Sequence, residues 1–341
     1  MQQDIKKLTV IELQNILKGW GASVYHAKQV FNWIYKLGAR DFSAMSDLSA
    51  GLRIRLEENF FILGSGIAEQ QDSVDGTQKF LIRLHDASLI EAVVIPAEGR
   101  VTGCISSQVG CKYACTFCAS GQSGLKRNLT STEILEEILL LNSGKKITHI
   151  VFMGIGEPLD NYDEVLRAIR AINSPDGIGI GARRITISTC GVIPAIGKLA
   201  QEKLQIELSI SLHAADDLIR SQIMPVNKKY PLKALMAACQ DYIKKTDRQI
   251  TFEYVLIKGL NSDLQSVKDL AKILKPLRLA KVNLIPSNPI KEMNVQPPGK
   301  LEVLYFKDYL IKQGIQVTLR KSRGQDIDAA CGQLRLKYDK R

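Results

Sequence analysis

The sequence predicts an α/β fold, a partial (β/α)6-type barrel of parallel strands preceded by a small helical domain. From residue 101 onward, short apolar runs alternate with helical patterns, which is typical of parallel strands that cross over through helices. Residues 1–70 carry helical periodicity, and two segments of alternating polarity follow them. The units are too few for a closed eight-stranded barrel. We expect a helical domain at 1–70, a β-hairpin linker at 71–100 and the barrel at 101–341.

The amino-terminal part opens with a helix signal. Thr9 and Glu12 have the spacing of a capping box, which predicts a helix from Val10. Two more helical segments follow, at Val24–Tyr35 and at Leu48–Phe60. Basic and aromatic residues interleave here, so an RNA-contacting surface and an ordinary solvated helical face explain this part equally well.

Two strands joined by a turn near Asp86 are predicted next, at Gln78–Leu84 and Leu89–Ile95. Glu91 lies inside the second strand among apolar residues. On the pattern alone, a strand residue that faces water is the simpler interpretation. A functional carboxylate is the alternative.

Seven strands are predicted after the hairpin, at Val101–Ser106, His149–Met153, Arg184–Ser188, Ile206–Ser211, Ile250–Leu256, Lys281–Ile285 and Gln316–Arg320. Helical patterns lie between them, at Ser131–Leu141, Tyr162–Ile172, Leu232–Lys245 and Ser266–Leu274. In folds of this class, ligands bind at the carboxyl ends of the strands. Residues that directly follow a strand are therefore the first candidates for a functional site.

Composition limits the possible partners and compartments. The chain has 341 residues and a formal net charge of +11, which favours a polyanionic partner such as nucleic acid. No stretch approaches the roughly 18 uninterrupted apolar residues that a membrane-spanning helix needs. Seven cysteines without a secretory segment indicate a reducing compartment. We therefore expect a cytoplasmic protein that does not associate with membranes.

Three cysteines fall close together after the first predicted barrel strand. Cys111, Cys115 and Cys118 have the spacing Cys-x3-Cys-x2-Cys. Three thiolates can hold three irons of a 4Fe-4S cluster and leave the fourth iron open to S-adenosylmethionine. This spacing resembles the signature of the radical S-adenosylmethionine superfamily. The alternative is a structural zinc site with Cys104 as fourth ligand, which would indicate a zinc-stabilised, non-catalytic RNA-binding protein.

Small polar motifs follow several predicted strands. Gly156 and Glu157 follow the second strand, where glycine permits close backbone approach and the carboxylate can accept a hydrogen bond from a ligand ammonium group. Ser188 ends the third strand, Ser211-Leu-His213 follows the fourth, and Asn288 follows the sixth. Each motif alone is more typical of turn chemistry. Together, at one edge of a sheet, they can hold ribose, carboxylate and adenine groups.

The remaining cysteines differ in their surroundings. Cys331 lies past the last strand in a glycine-flanked segment that neither period explains, so a mobile reactive thiol and a small core residue are both open. Cys239 lies on an apolar helical face, which predicts a buried position. Cys190 is interpreted in the same way, although it is close enough in sequence to Ser188 to approach the same edge.

Four ordered motifs together resemble the RNA adenine-C2 methyltransferases of the RlmN type. They are Cys104-Ile-Ser-Ser-Gln-Val-Gly-Cys with the two cysteines that follow, Phe152-Met-Gly-Ile-Gly-Glu-Pro-Leu, Ser209-Ile-Ser-Leu-His, and Asp326-Ile-Asp-Ala-Ala-Cys-Gly-Gln-Leu. The resemblance extends over nearly the whole chain, including the helical front. The related C8-methylating Cfr branch typically has a further cysteine where this chain has Val109. The resemblance therefore favours the C2 branch and leaves C8 as the alternative.

The resemblance implies a radical methylation through two thiols. Cys331 would take a methyl group from one S-adenosylmethionine as a thiolate nucleophile. A second S-adenosylmethionine, cleaved at the cluster, would remove hydrogen from the methylated Cys331, and the resulting thiomethylene radical would add to C2 of adenine. Cys104 would then attack the sulfur of Cys331 and leave a transient disulfide. Glu91 matches the proton acceptor of the family.

The resemblance also implies ligands and partners. Residues implied to hold S-adenosylmethionine are Gly156, Glu157, Ser188, Ser211, Leu212, His213 and Asn288. The implied substrates are an adenosine in the peptidyl-transferase centre of 23S rRNA and the adenosine 3′ of the anticodon in some tRNAs, each extruded from its stack. We expect a monomer that is supplied with electrons by a flavodoxin-like donor and that needs a disulfide reductant.

Overall fold

A computed structural model describes residues 2–62, 64–122, 124–142, 144, 146–288 and 295–334. The strands in this part of the chain are Gln3–Asp4 (β1), Phe60–Phe61 (β2), Gly66–Asp72 (β3), Gln78–Arg83 (β4), Leu89–Ala97 (β5), Arg100–Cys104 (β6), Gln108–Gly110 (β7), Leu125–Asn128 (β8), His149–Phe152 (β9), Ile185–Thr189 (β10), Glu207–Ser211 (β11), Ile250–Leu256 (β12), Ala280–Pro286 (β13) and Gln316–Leu319 (β14). The α-helices are Val10–Gly19 (α1), Tyr25–Tyr35 (α2), Ala50–Asn59 (α3), Ser131–Leu141 (α4), Tyr162–Asn173 (α5), Ile193–Leu199 (α6), Asp217–Ile223 (α7), Leu232–Thr246 (α8), Leu264–Leu274 (α9) and Lys300–Lys312 (α10).

One large sheet organises the molecule. Its strand order is β14-β13-β12-β11-β10-β9-β6-β5-β4-β3. Strands β6 and β9 to β14 of this sheet pair in parallel, so their carboxyl ends meet at one edge. Strands β3, β4 and β5 extend the sheet in antiparallel fashion, and β5 pairs antiparallel with β6. The prediction of an α/β fold with a partial barrel and a helical front is confirmed.

The predicted barrel strands agree with the observed ones to within two residues at each end. The antiparallel part differs, because three strands stand where the sequence predicted two. The additional strand, β3, begins at Gly66, inside the part predicted to be helical. It is an edge strand without buried residues, so its sequence shows no alternation of apolar residues that would have revealed it.

The helical front packs directly on the barrel. Its capping box is present, since Glu12 N donates to Thr9 Oγ1 at 3.2 Å and Thr9 N donates to Glu12 Oε2 at 2.7 Å. Lys6 Nζ donates to Glu136 Oε1 on α4 at 2.5 Å, and both side chains are buried. The apolar residues of the front and of the barrel form one continuous cluster. This shared core fixes the front against the amino-terminal edge of the parallel strands.

The helices of the described ranges are all short or carry charged faces. None of them has the length and apolar character that crossing a bilayer requires.

Candidate active site

The cysteine loop lies between β7 and β8 at the carboxyl edge of the sheet. Backbone bonds close it, since Cys111 N donates to Gly124 O at 2.9 Å and Thr116 N donates to Ile223 O at 3.0 Å. Gly110 has a φ of +81°, and a Cβ there would lie 1.9 Å from Gly124 O, so this close approach requires glycine. The folded loop brings Cys111, Cys115 and Cys118 to the wall of one cavity of about 160 Å³.

The donor set of this cavity fits a 4Fe-4S cluster. Burial raises the pKa of Cys111 to about 12 and also raises the pKa values of Cys115 and Cys118, so the thiols are neutral without a metal. Binding of a metal replaces such protons. Among the described residues, no three His, Cys, Asp or Glu side chains converge on a position for a single ion. Thiolates that each bind a different iron do not have to converge in this way.

The Gly-Glu motif after β9 forms a second wall. Gly156 has a φ of +104°, and a Cβ there would lie 2.6 Å from Gln108 Cβ. Glu157 is buried, and its carboxylate accepts hydrogen bonds from Leu159 N at 3.0 Å and from Cys190 N at 2.7 Å. Burial is the main cause that raises the pKa of Glu157. The side chains of Thr189 and Cys190 also donate to this carboxylate, so it is held firmly at the cavity wall.

Most residues predicted to hold S-adenosylmethionine lie together. Gly156, Glu157, Ser188, Ser211, His213 and Asn288 all line the same cavity as the three cysteines. Leu212 is different, because its side chain is fully buried in the main core. Its backbone is also engaged, since Leu212 N donates to Glu253 O at 3.0 Å. The structure therefore brings together all of this predicted set except the Leu212 side chain.

The imidazole of His213 is held in one orientation. Val255 N donates to His213 Nδ1 at 3.0 Å, which leaves the proton on Nε2. The ring packs edge-on against Phe117, with centroids 4.6 Å apart. Burial lowers the pKa of His213 to about 3, so the ring is neutral and can donate one hydrogen bond from Nε2.

The segment that carries Cys331 is fixed at several points. Asn288 Nδ2 donates to Cys331 O at 3.0 Å, and Ala119 N, directly after Cys118, donates to Gly332 O at 2.7 Å. Farther back, Ser73 Oγ donates to Asp326 Oδ1 at 2.6 Å. Cys331 is partly exposed and lines the cavity. Cys331 is therefore not a core residue, but its segment is held in place by these bonds, so the predicted mobility is not seen.

Cys104 lies next to this segment but outside the cavity wall. It ends β6 and packs with Val93, Val151, Ala329 and Leu334. Burial, followed by the charge of Cys331, raises the pKa of Cys104 to about 12. Both cysteines are free thiols in this structure. The two predicted reaction partners are therefore neighbours, one accessible and one buried.

Glu91 is buried on β5, so the interpretation that it faces water is wrong. Lys79 Nζ lies 3.6 Å from Glu91 Oε1, and both side chains are buried. The sheet register pairs Val93 with both Lys79 and Cys104. Because side chains two residues apart on a strand share a face, Glu91 lies on the same face as Cys104. It is not among the residues that line the cavity.

Two charged residues of the cavity were not predicted from the sequence. Arg320 follows β14, and its Nη1 lies 3.7 Å from Met153 Sδ. The charge of Cys331 is the main cause that raises the pKa of Arg320. Glu253 on β12 accepts a hydrogen bond from Asn283 Nδ2 at 2.8 Å, and burial raises its pKa. A charged residue inside an otherwise apolar strand was the available signal for Glu253.

Cys190 also lines the cavity, although the sequence favoured an ordinary core position. Burial and then the charge of Glu157 raise the pKa of this thiol. Its carbonyl accepts a hydrogen bond from Arg220 Nη2 at 2.8 Å, and that guanidinium is fully buried. Cys239 is buried in the core, as predicted.

Family models match both parts of the chain. The radical SAM superfamily model matches residues 105–271. A model described as the ribosomal RNA large subunit methyltransferase N-terminal domain matches residues 3–62. The superfamily match covers the cysteine loop and most of the parallel strands. Proteins of this superfamily use a 4Fe-4S cluster and S-adenosylmethionine.

Individual relatives extend this likeness to nearly the whole chain. A protein of Thermoanaerobacter sp. (strain X514) named a probable dual-specificity RNA methyltransferase RlmN is 45% identical over 337 residues, covering 98% of each chain. A protein of the same name from Clostridium novyi (strain NT) is 43% identical over 339 residues, again covering 98% of each chain. The crystal structure of a radical SAM methyltransferase from Sphaerobacter thermophilus superposes with a TM-score of 0.92 at 41% identity, covering 98% of this chain and 99% of that one. The chain therefore belongs to the RlmN family of radical S-adenosylmethionine RNA methyltransferases.

Proposed function

We propose that this protein methylates C2 of adenosine in 23S rRNA and in tRNA through a methyl group carried on Cys331. One observation carries the proposal. The accessible thiol of Cys331 opens on the same cavity as the three cysteines of the loop and the Gly-Glu motif. A thiol in this position can receive a methyl group and then present it to a base that enters the same cavity.

Three cysteines and six polar or glycine positions would hold the cofactors. Cys111, Cys115 and Cys118 would bind the cluster. S-adenosylmethionine would be bound by six cavity residues, Gly156, Glu157, Ser188, Ser211, His213 and Asn288. When bound, these groups supply the electron and the hydrogen-abstracting radical that the methyl group on Cys331 requires. Glycine is required at position 156 because a Cβ there would collide with Gln108.

Cys331 acts first as a nucleophile. Its sulfur attacks the sulfonium methyl of S-adenosylmethionine, a C–S bond forms, and the electron pair of the broken bond stays with the departing thioether. Arg320 lines the same cavity and brings a positive charge to the side of the thiol. A positive charge stabilises the thiolate, which is the reactive form.

Cys104 and Glu91 act after the new carbon bond to adenine has formed. Glu91 accepts the proton of C2, and the Lys79 ammonium at 3.6 Å stabilises its carboxylate. One electron also has to leave the radical adduct, and the bound cluster would accept it. Cys104, as a thiolate, then attacks the sulfur of Cys331, so that an S–S bond forms and the bond between that sulfur and the methylene carbon breaks. The electron pair of the broken bond passes to the methylene carbon, which takes up a proton and becomes the methyl group of the product, and a disulfide remains between the two cysteines. An external thiol reductant would then restore both cysteines.

The helical front would contact the RNA. The antiparallel strands β3, β4 and β5, which begin at Gly66 and not after residue 70, join it to the barrel, which we place at 101–341. The net charge of +11 favours a polyanionic substrate. The protein would act as a monomer in the cytoplasm and would be supplied with electrons by a flavodoxin-like donor.

Methyl transfer by the reconstituted protein tests the proposal. Anaerobically reconstituted protein is incubated with S-adenosylmethionine, a reductant and unmodified 23S rRNA or tRNA, and the RNA is digested for mass spectrometry. We expect 2-methyladenosine from the wild type and none from Cys331→Ala. The appearance of 8-methyladenosine instead would identify the C8 branch. Zinc without iron and sulfide in the anaerobically purified protein would refute the radical mechanism.

A further inference from the structure

A second and larger cavity lies far from the cysteines. It is a groove of about 810 Å³ between the helical front and the amino-terminal edge of the parallel strands. One side consists of the end of α2 and the loop after it, and the other side includes the segments directly before β9 and β10. The proposed methylation chemistry uses no residue of this groove.

Four cations line the groove, namely Lys36 and Arg40 from the front and Lys146 and Arg184 from the barrel. All four are exposed, and none forms an ion pair within the part of the chain that the structure describes. Arg100 and Arg184 both lie near His149. Burial is the main cause that lowers the pKa of His149, and the charges of these two arginines lower it further. The groove therefore has a strongly positive rim.

The acidic residue of the groove does not neutralise this rim. Glu136 lines the groove but is buried. Its Oε1 accepts from Lys6 Nζ at 2.5 Å, and its Oε2 accepts from Ser65 N at 3.0 Å. Both oxygens already interact with donors inside the protein. The positive potential of the four cations is therefore directed to solvent.

The groove and the cysteine cavity lie at opposite ends of the same strand. Thr148 lines the groove and Met153 lines the cysteine cavity, with β9 between them. At about 3.3 Å per residue along a strand, the two walls are roughly 17 Å apart. Along a helical nucleic-acid strand each nucleotide advances about 3.4 Å, so about five nucleotides are needed to span this distance in a straight line, and more are needed along a path around the protein surface.

We infer that this groove is an anchoring site for the phosphate backbone of the substrate RNA, remote from the nucleotide that is methylated. The choice of RNA as the polyanion rests on the proposed function. Lysine and arginine contacts to phosphates position a nucleic acid without reading its sequence. Such an anchor suits an enzyme that accepts two RNAs of different sequence. The groove is formed by both the helical front and the barrel, so both parts would contact the RNA.

Charge removal from the groove tests the inference against a matched control. The groove variant is K36Q/R40Q/K146Q/R184Q. The control variant, K244Q/K245Q/K268Q/K272Q, removes the same charge from exposed positions on α8 and α9. Binding of full-length tRNA to the cluster-loaded proteins is measured by fluorescence anisotropy at several salt concentrations. A pentanucleotide with the target adenosine at its centre, and therefore only two nucleotides on either side, serves as a second probe.

We expect the groove variant to bind tRNA at least about tenfold more weakly at low salt. Its slope of log affinity against log salt should fall by roughly 0.7 to 0.9 for each phosphate contact that is lost. The control should change by less than about threefold, and neither variant should alter binding of the pentanucleotide, which is too short to reach the groove. Equal losses in both variants would show general charge steering and would overturn the inference. Unchanged binding by the groove variant would overturn it as well.

Two further measurements keep the outcomes separate. Melting curves verify that the variants fold. If the fourfold variant unfolds, the pairs K36Q/R40Q and K146Q/R184Q replace it. Each pair should reduce the slope of log affinity against log salt by about half of the amount expected for the fourfold variant. Methylation by the wild type tests the proposed function independently. If the wild type forms no methyladenosine but the groove variant still binds tRNA more weakly than the wild type, the proposed function is refuted and the RNA-anchoring role of the groove stands.

Discussion

The side-chain amide of Asn288 donates a hydrogen bond to the carbonyl of Cys331 at 3.0 Å. Gln325 Nε2 in turn donates to Asn288 Oδ1 at 2.8 Å, so the amide is held from both sides. Asn288 was predicted to contact S-adenosylmethionine. In the structure it holds the segment of Cys331, which couples the ligand cavity to the residue that we propose to carry the methyl group.

Asn288→Ala should loosen the Cys331 segment. Loss of this bond removes a contact worth on the order of 1 kcal/mol, so Cys331 should react with iodoacetamide several-fold faster in the protein without cofactors. Site-resolved mass spectrometry of the alkylated cysteines measures the rate. Asn173→Ala is the control, because that amide donates to Ile180 O at 3.1 Å far from the cavity. Equal rates in wild type and Asn288→Ala would contradict the positioning role.

Arg320→Gln should make Cys331 less reactive. Without the guanidinium, the positive charge beside the Cys331 sulfur is lost, and we expect alkylation of Cys331 at neutral pH to slow several-fold. Arg320→Lys should retain most of the rate. Arg278→Gln, which removes an exposed guanidinium paired with Asp247, should have no effect. A rate in Arg320→Gln equal to that of the wild type would refute this role.

Gly156→Ala should destabilise the protein by about 1 to 3 kcal/mol, because an alanine would adopt a φ of +104° and collide with Gln108. Gly197→Ala is the matched control. Gly197 lies inside α6, and no atom lies within 4 Å of the position that a Cβ would take there. Alanine at this position should be neutral or stabilise the helix by up to about 1 kcal/mol. Urea unfolding of both variants provides the comparison.

Cys104→Ala should stop the reaction after the carbon bond has formed. Without the second thiol, the RNA should stay covalently joined to Cys331. Denaturing electrophoresis with labelled RNA should then show a protein-sized shift that survives heating and reductant. Cys239→Ala, a change of a buried core cysteine, should give no shift. Free methylated RNA from Cys104→Ala would disprove the proposed release step.

His213 should make the stability of the protein depend on pH. Its pKa is about 3 in the folded protein against 6.5 as the ordinary value, so only the unfolded chain binds the proton between these limits. Stability is therefore complete above pH 6.5 and is lost as the pH falls toward 3. Between pH 7 and pH 5 the wild type should lose roughly 2 kcal/mol relative to His213→Asn, in which the amide oxygen can still accept from Val255. Parallel urea curves at the two pH values measure this difference.

Much of the site was predictable because its residues belong to short contiguous motifs. Cys111, Cys115 and Cys118 lie in one loop, and their spacing alone indicates a cluster. The residues predicted to hold S-adenosylmethionine could be identified because each lies at or just after the carboxyl end of a strand with a clear apolar pattern. The topology of a parallel sheet then places them at one edge.

The remaining parts of the site depend on tertiary packing. Arg320 reaches the cavity only because β14 lies beside β13 at the end of the sheet. Lys79 and Glu91 are paired by the antiparallel register, which no local pattern specifies. Edge strand β3 is polar, so its pairing with β4 was not visible in the sequence. These contacts join distant segments, and local periodicity carries no information about them.

The bond between Ser73 and Asp326 spans 253 residues of sequence. A ribosome therefore has to finish and release almost the entire polypeptide before the tail can dock on the hairpin. Contacts of such long range form slowly, so docking of the tail should be a late step of folding. A nascent chain can thus complete its three-cysteine loop early while Cys331 is still absent, and under the proposed mechanism an incomplete polypeptide would have no means of modifying RNA.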